Sequence, residues 1–250
     1  MRNSFALAYD VAFGWLTDRW GPIEDLHDGI TLVNDVAPYV QWPSATTYGS
    51  WEFIRLVTKF PPEAFWAVDG QTGAPFFGQQ MWRATEARAR QEVLAGGPVA
   101  QNIGQVYSLT ESEMAYLAML GVDAVPLLAQ MNARTNIEAR RSARLYLDHW
   151  FTTSGTLRRP ILTMHSIYDG LMPIWNEGEY RATIDGAGSG DLLVQTFVGQ
   201  PAHCSFTPAQ HLATLAAMEY WLDTGIAPDA SFFPPAAGFV SGFVPPLWPF

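Results

Sequence analysis

Residues 160–173 read Pro-Ile-Leu-Thr-Met-His-Ser-Ile-Tyr-Asp-Gly-Leu-Met-Pro, an apolar run that ends in a turn carrying one carboxylate. Positions 160–165 have the near-continuous apolar pattern of a strand buried on both faces. A second such run, Leu-Leu-Val-Gln-Thr-Phe-Val, occupies 192–198. Between them, 175–184 fits a helix, and the glycine-rich stretch 186–190 supplies the turn into the second strand. Further on, Thr207-Pro208-Ala209-Gln210 combines a Thr N-cap, Pro at the first helical position and Gln two residues after it. The helix opened there carries Leu212, Leu215, Met218, Tyr220, Trp221 and Leu222 and meets Gly225 at its end. Strand, helix, strand, helix with short connections predicts an α/β unit with parallel strands over 158–226.

Working outward, residues 227–250 form a Pro/Phe-rich tail, expected to wrap the surface and showing no chemistry. Upstream, 1–157 reads as mainly helical. Residues 1–78 mix a short apolar helix over 5–15 with Pro- and aromatic-rich sequence, and 51–57 has helical spacing before Pro61-Pro62. A helix over 79–94 is closed by Gly96-Gly97. Thr110 and Glu113 form a capping box that opens a helix through Leu120, closed by Gly121. Helical stretches at 125–132 and 137–150 follow, and their Met and aromatic stripes read as core packing.

The chain has 250 residues, enough for one substantial domain or one with a large insertion. Hydrophobic residues at 48% against 15% charged describe a globular chain rather than a disordered one. A net charge of −10 disfavours capture of nucleic acid or anionic membrane, which needs basic patches. No apolar run is long enough to span a membrane, and the first residues do not read as a signal peptide. The single cysteine, Cys204, excludes an internal disulfide framework and a multi-cysteine zinc site. Glycine-rich phosphate loops, H-E-x-x-H and C-x-x-C patterns are missing, so no cofactor or metal is expected.

In an open parallel sheet, functional side chains sit in loops at the carboxyl ends of strands. Asp169 falls in the loop after the first strand and His203 in the loop after the second. Adjacent strands deliver both loops to one edge, where the carboxylate can hold imidazole Nδ1–H and leave Nε2 as a general base. That is two thirds of a nucleophile–base–orienter relay. His165 reads as packing, and His27, His149 and His211 as surface or capping residues.

The order of these elements resembles the C-terminal end of the α/β-hydrolases. The shared pattern is an apolar strand, then H-x-x-x-D-G-L-x-P, then a second strand, and then a loop with His before the last helix. It covers residues 160–225. The resemblance implies that Asp169 is the acidic member and His203 the base of a Ser-His-Asp triad, and that the substrate is a small carboxylic ester. The dipeptide His203-Cys204 also resembles tannase and feruloyl-esterase relatives. There the Cys pairs with a second one beside the nucleophile, and this chain has no second cysteine.

The family's nucleophile sits in G-x-S-x-G, on a sharp strand-to-helix turn. None of the twelve serines here has Gly at both the −2 and +2 positions. Ser189 is the nearest look-alike, but its loop feeds the amino end of a strand. Cys204 adjoins the base rather than facing it. The expectation is therefore a truncated enzyme: the cap and C-terminal catalytic half of a serine hydrolase, its nucleophile encoded upstream. Residues 1–157 then become a cap over the site. Two alternatives stand beside it. One is a non-catalytic binding or scaffold protein whose exposed half-sheet is covered by a partner or second copy. The other is a split enzyme with its nucleophile on a separate polypeptide.

Overall fold

The computed structural model describes residues 2–13, 47–68, 87–201 and 203–249. The chain divides into two compact units, residues 1–65 with 73–152 and residues 66–72 with 153–250.

Among its described residues, the regular elements of the first unit are all helices. Its elements are α1 (Arg2–Phe13), α2 (Tyr48–Val57), α3 (Pro62–Phe65), α4 (Arg88–Ala95), α5 (Glu111–Met119), α6 (Ala124–Ala133) and α7 (Arg141–Trp150). Aromatic residues make its core. Phe5, Tyr9, Trp51, Phe53 and Phe65 are all buried. The Trp51 ring lies 5.5 Å from Tyr9 and 6.3 Å from Phe65, while Phe5 meets Phe60 edge-on at 6.2 Å. Polar ties between distant segments close the unit. Arg134 reaches buried Asp10 at 2.6 Å, and Asn132 brackets the Tyr107 backbone with bonds of 2.8 and 2.9 Å.

Several helix ends form where local chemistry places them. The Thr110–Glu113 capping box is present, and Gly96 closes α4 in the left-handed conformation at φ 74°. The expected 79–94 helix is seen only from Arg88, since 79–86 lie outside the described residues, as does Trp15 in the expected 5–15 helix. The 137–150 helix starts later than its pattern suggests, at Arg141. The preceding residues are drawn into pairing with another segment: Asn102 N–H donates to Ile137 O, Ile137 N–H to Asn102 Oδ1, and Arg140 N–H to Pro98 O. Pro61 and Pro62 do not mark the end of α2 themselves. The helix ends at Val57, and Pro62 opens α3.

The second unit contains β1 (Ile161–Tyr168), α8 (Trp175–Gly186), β2 (Leu193–Pro201) and α9 (Pro208–Thr224). The two strands pair in parallel, Ile161 opposite Leu193 and Ser166 opposite Val198. This places the protein in the α/β class. The ladder slips between Ser166 and Tyr168, where Tyr168 comes opposite Pro201. α9 begins with the expected Thr207–Gln210 capping box and ends at Gly225, φ 71°. Leu212, Leu215 and Leu222 stand exposed along it.

Most of the described tail is exposed, as surface wrapping requires, and it also contributes residues to the core. Phe233 and Phe239 are buried with Val198 and Ala217, against Leu162 and Met164 of β1. Phe239 bridges Val198 in antiparallel fashion, and Val240 N–H donates to Phe197 O at 2.8 Å. Further along, Trp248 packs edge-on against Trp175 at 5.4 Å. The Pro246 carbonyl then presses onto Gly178 of α8, in the space a Cβ would fill. The half-sheet needs this cover because four of its facing side chains are apolar, and the tail carries the aromatic area to supply it.

Candidate active site

The site is built at the carboxyl ends of β1 and β2. Asp169 follows β1 directly, its own N–H bonded to Ser166 O in a tight turn. The two carboxylate oxygens have different tasks. Oδ1 accepts the backbone N–H groups of Leu171 and Met172 at 2.7 and 2.8 Å. Oδ2 accepts from His203 Nδ1 at 2.8 Å. The carboxylate is buried, whereas the imidazole is about one third exposed. The backbone bonds fix the carboxylate plane, so that its free oxygen points at one ring nitrogen. Because a carboxylate only accepts, His203 Nδ1 must carry the hydrogen. Nε2 of the neutral ring is then the acceptor that a general base requires.

The two residues singled out in the sequence are thus brought together across 34 positions. His165 is not part of the pair, and its Nδ1 meets Ser166 O at 2.7 Å. His211 packs edge-on against Phe206, His149 edge-on against Trp150, and His27 lies outside the described residues. Ser189 is spent on structure. It is nearly buried, before β2 rather than after it, and its hydroxyl accepts Leu157 N–H at 3.1 Å.

Cys204 differs from its sequence reading. It takes φ 54°, a left-handed conformation that costs a non-glycine residue about 1–2 kcal/mol. The thiol thereby turns back toward its neighbour, and Sγ lies 3.3 Å from His203 Nε2. It faces the base after all. Adjacency in sequence could not reveal this, because it depends on the backbone and side-chain torsions of both residues.

The sequence reading missed the polar residues behind the pair. Ser166, Gln200 and Gln210 form hydrogen bonds beside the two loops, and Gln210 was legible only as a helix cap. Their partners are largely backbone N–H and C=O groups, which leave no signature in residue type.

No family model matches the chain, and no solved structure matches it. The chain is similar to an o-phthalyl amidase from Xanthobacter agilis, 32% identical over 109 residues. That segment is 42% of this chain and 23% of the amidase, so the match spans less than a quarter of the relative's length. At its broadest level the similarity is to a hydrolase.

Proposed function

We propose that this chain carries the acid–base half of an acyl hydrolase of the α/β-hydrolase type, with His203 as base and Asp169 as its orienting acid. One observation carries the reading: the buried Asp169 carboxylate, pinned by two backbone N–H groups, holds His203 Nδ1 at 2.8 Å, so that Nε2, with Cys204 Sγ at 3.3 Å, is the ring's acceptor. In the reaction, a serine hydroxyl attacks the acyl carbon while Nε2 takes its proton. The imidazolium returns that proton to the leaving group, and Asp169 stabilises the charged ring throughout. No serine within residues 1–250 has the G-x-S-x-G setting, so the nucleophile belongs to sequence outside this stretch or to a partner chain. The substrate is a small carboxylic ester, the class the family pattern implies. The name of the Xanthobacter relative adds amides as the second class to assay.

The reading frame upstream of codon 1 tests this with no assay, since it should encode a strand followed by G-x-S-x-G. In the longer protein, His203→Ala and Asp169→Asn should each cut ester or amide turnover by at least 10³-fold, on the order of losses at triad positions. The 250-residue chain itself should resist labelling by a fluorophosphonate. Labelling at one of its own serines would defeat the proposal.

The Cys204 contact favours a second reading, in which the thiol itself is the nucleophile of a Cys-His-Asp relay inside this chain. Under it, the isolated chain would turn over activated aryl esters, and iodoacetamide and His203→Ala would both abolish that turnover. No turnover by the isolated chain leaves the serine reading alone.

A further inference from the structure

Two loops 34 residues apart meet at one hydrogen bond, and the strand ladder beneath them is irregular. Parallel pairing slips between Ser166 and Tyr168, and only Tyr168 opposite Pro201 continues the ladder toward the loops. The side chains of three residues take over there. Ser166, fully buried in β1, donates its hydroxyl to the Gln200 carbonyl of β2 and accepts Tyr168 N–H at 3.2 Å. Its own carbonyl accepts Asp169 N–H. Ser166 therefore touches the acid's loop through its backbone and the base's loop through its hydroxyl.

On the His203 side, the side-chain amides of Gln200 and Gln210 exchange a reciprocal pair of hydrogen bonds at 2.8 and 2.9 Å. Gln200 Nε2 also donates to Ser205 O at 2.6 Å, clamping the ends of the segment that contains His203. Gln210, buried, accepts Thr207 N–H through Oε1 and donates to Ala237 O through Nε2. This second donation ties the clamp to the tail. The network runs unbroken from Asp169 through Ser166 and Gln200 to Ser205 and Gln210.

We infer that Ser166, Gln200 and Gln210 are positioning residues that set the Asp169–His203 geometry, acting through the two loops and touching neither substrate nor nucleophile. This rests on the reading of Asp169 and His203 as an acid–base pair. A relay must be held to within about half an ångström to work, and displacements of about 1 Å cost on the order of 10²-fold in rate. Capping alone does not account for the cluster. The Thr207–Gln210 box needs only Oε1 of Gln210, while its Nε2 reaches Gln200 Oε1 and Ala237 O, and Gln200 Nε2 spans the loop to Ser205 O.

The pair can be read directly in the 250-residue chain by nitrogen-15 NMR, through solvent exchange of the His203 Nδ1 proton, assigned by its loss in His203→Gln. Asp169→Asn should abolish the slowly exchanging signal. Ser166→Ala cuts the strut between the loops and Gln200→Ala cuts the clamp. Each should speed exchange at least fivefold, and Ser166→Thr, which keeps the hydroxyl, should restore the slower rate. Thr207→Ala, which weakens the helix cap but leaves the amide pair, serves as the control. It should lower the melting temperature without moving the exchange rate. A fivefold or greater acceleration in either brace variant supports the inference. Smaller changes in both overturn it while leaving the acid–base pair standing. If Asp169→Asn leaves the His203 signal as it was, the pair does not form in solution, and the proposed function falls first.

Discussion

The two compact units of this protein hold themselves together by different means. In the first, the buried surface is aromatic and comes from segments far apart in sequence, with Phe5 and Tyr9 of α1 set against Trp51, Phe60 and Phe65. In the second, a small sheet is flanked by α8 and by α9, whose ends carry a capping box and a left-handed glycine, and a core of Val198, Ala217, Phe233 and Phe239 lies against it. Where burial does most of the work, side chains can be exchanged for others of similar size. Where hydrogen bonds fix loops, the position of single polar atoms matters, and that is the unit in which the acid and base are found.

The contrast predicts a graded series of effects. The largest is expected at Trp51, which is buried against Tyr9, Phe13 and Phe65. Trp51→Ala should destabilise the protein by about 3–5 kcal/mol, read from the urea midpoint, with the His203 Nδ1 proton signal retained. A loss under about 1 kcal/mol would mean that the aromatic cluster is not what organises the first unit. Next comes Phe239→Ala in the tail, expected to cost about 3 kcal/mol by the same measurement. If the tail merely lay on the surface, the change would stay within about 0.5 kcal/mol.

Smaller effects follow at the two capping boxes, which occur one in each unit. Thr207→Ala and Thr110→Ala should each cost about 1 kcal/mol in thermal denaturation. Equal losses would show that the caps are a shared local device and not what separates the units. The mildest effect is one of pH. Burial raises the Tyr107 hydroxyl above its usual range, against the opposing hydrogen bonds of Ser4 and Asn102. The unfolded chain releases this proton near pH 10 while the folded chain still holds it. The native state then binds more protons, so stability falls as pH rises above about 10 and is unaffected below. Tyr107→Phe should flatten that decline in a series of urea midpoints, and an unchanged slope would place its origin elsewhere.

How much was legible beforehand follows the same division. The α/β order of the second unit could be read because each signal is local. An apolar run, a Thr three residues before a Gln and a closing glycine act on their own backbone whatever surrounds them. The order strand–Asp169–helix–strand–His203–helix then sufficed to bring the candidate pair to one edge. The late start of α7 was hidden, because residues before Arg141 answer to Asn102 and Pro98 rather than to their own pattern. The tail was hidden for a related reason. Its phenylalanines look alike in sequence, whether they are exposed or packed on β2.

By itself, the sequence determined the strand–helix–strand–helix order of the second unit, the capping boxes at Thr110 and Thr207, and the two ionisable residues that parallel strands must carry to a common edge. Tertiary structure alone decided that Asp169 divides its oxygens between backbone and imidazole, that Cys204 turns its thiol onto Nε2, and that Ser166 bonds a carbonyl 34 residues away. The physical reason is one of range. Caps and turns close within a few residues, so composition encodes them, whereas a bond to a distant carbonyl depends on where the chain has folded and not on which residue offers the oxygen.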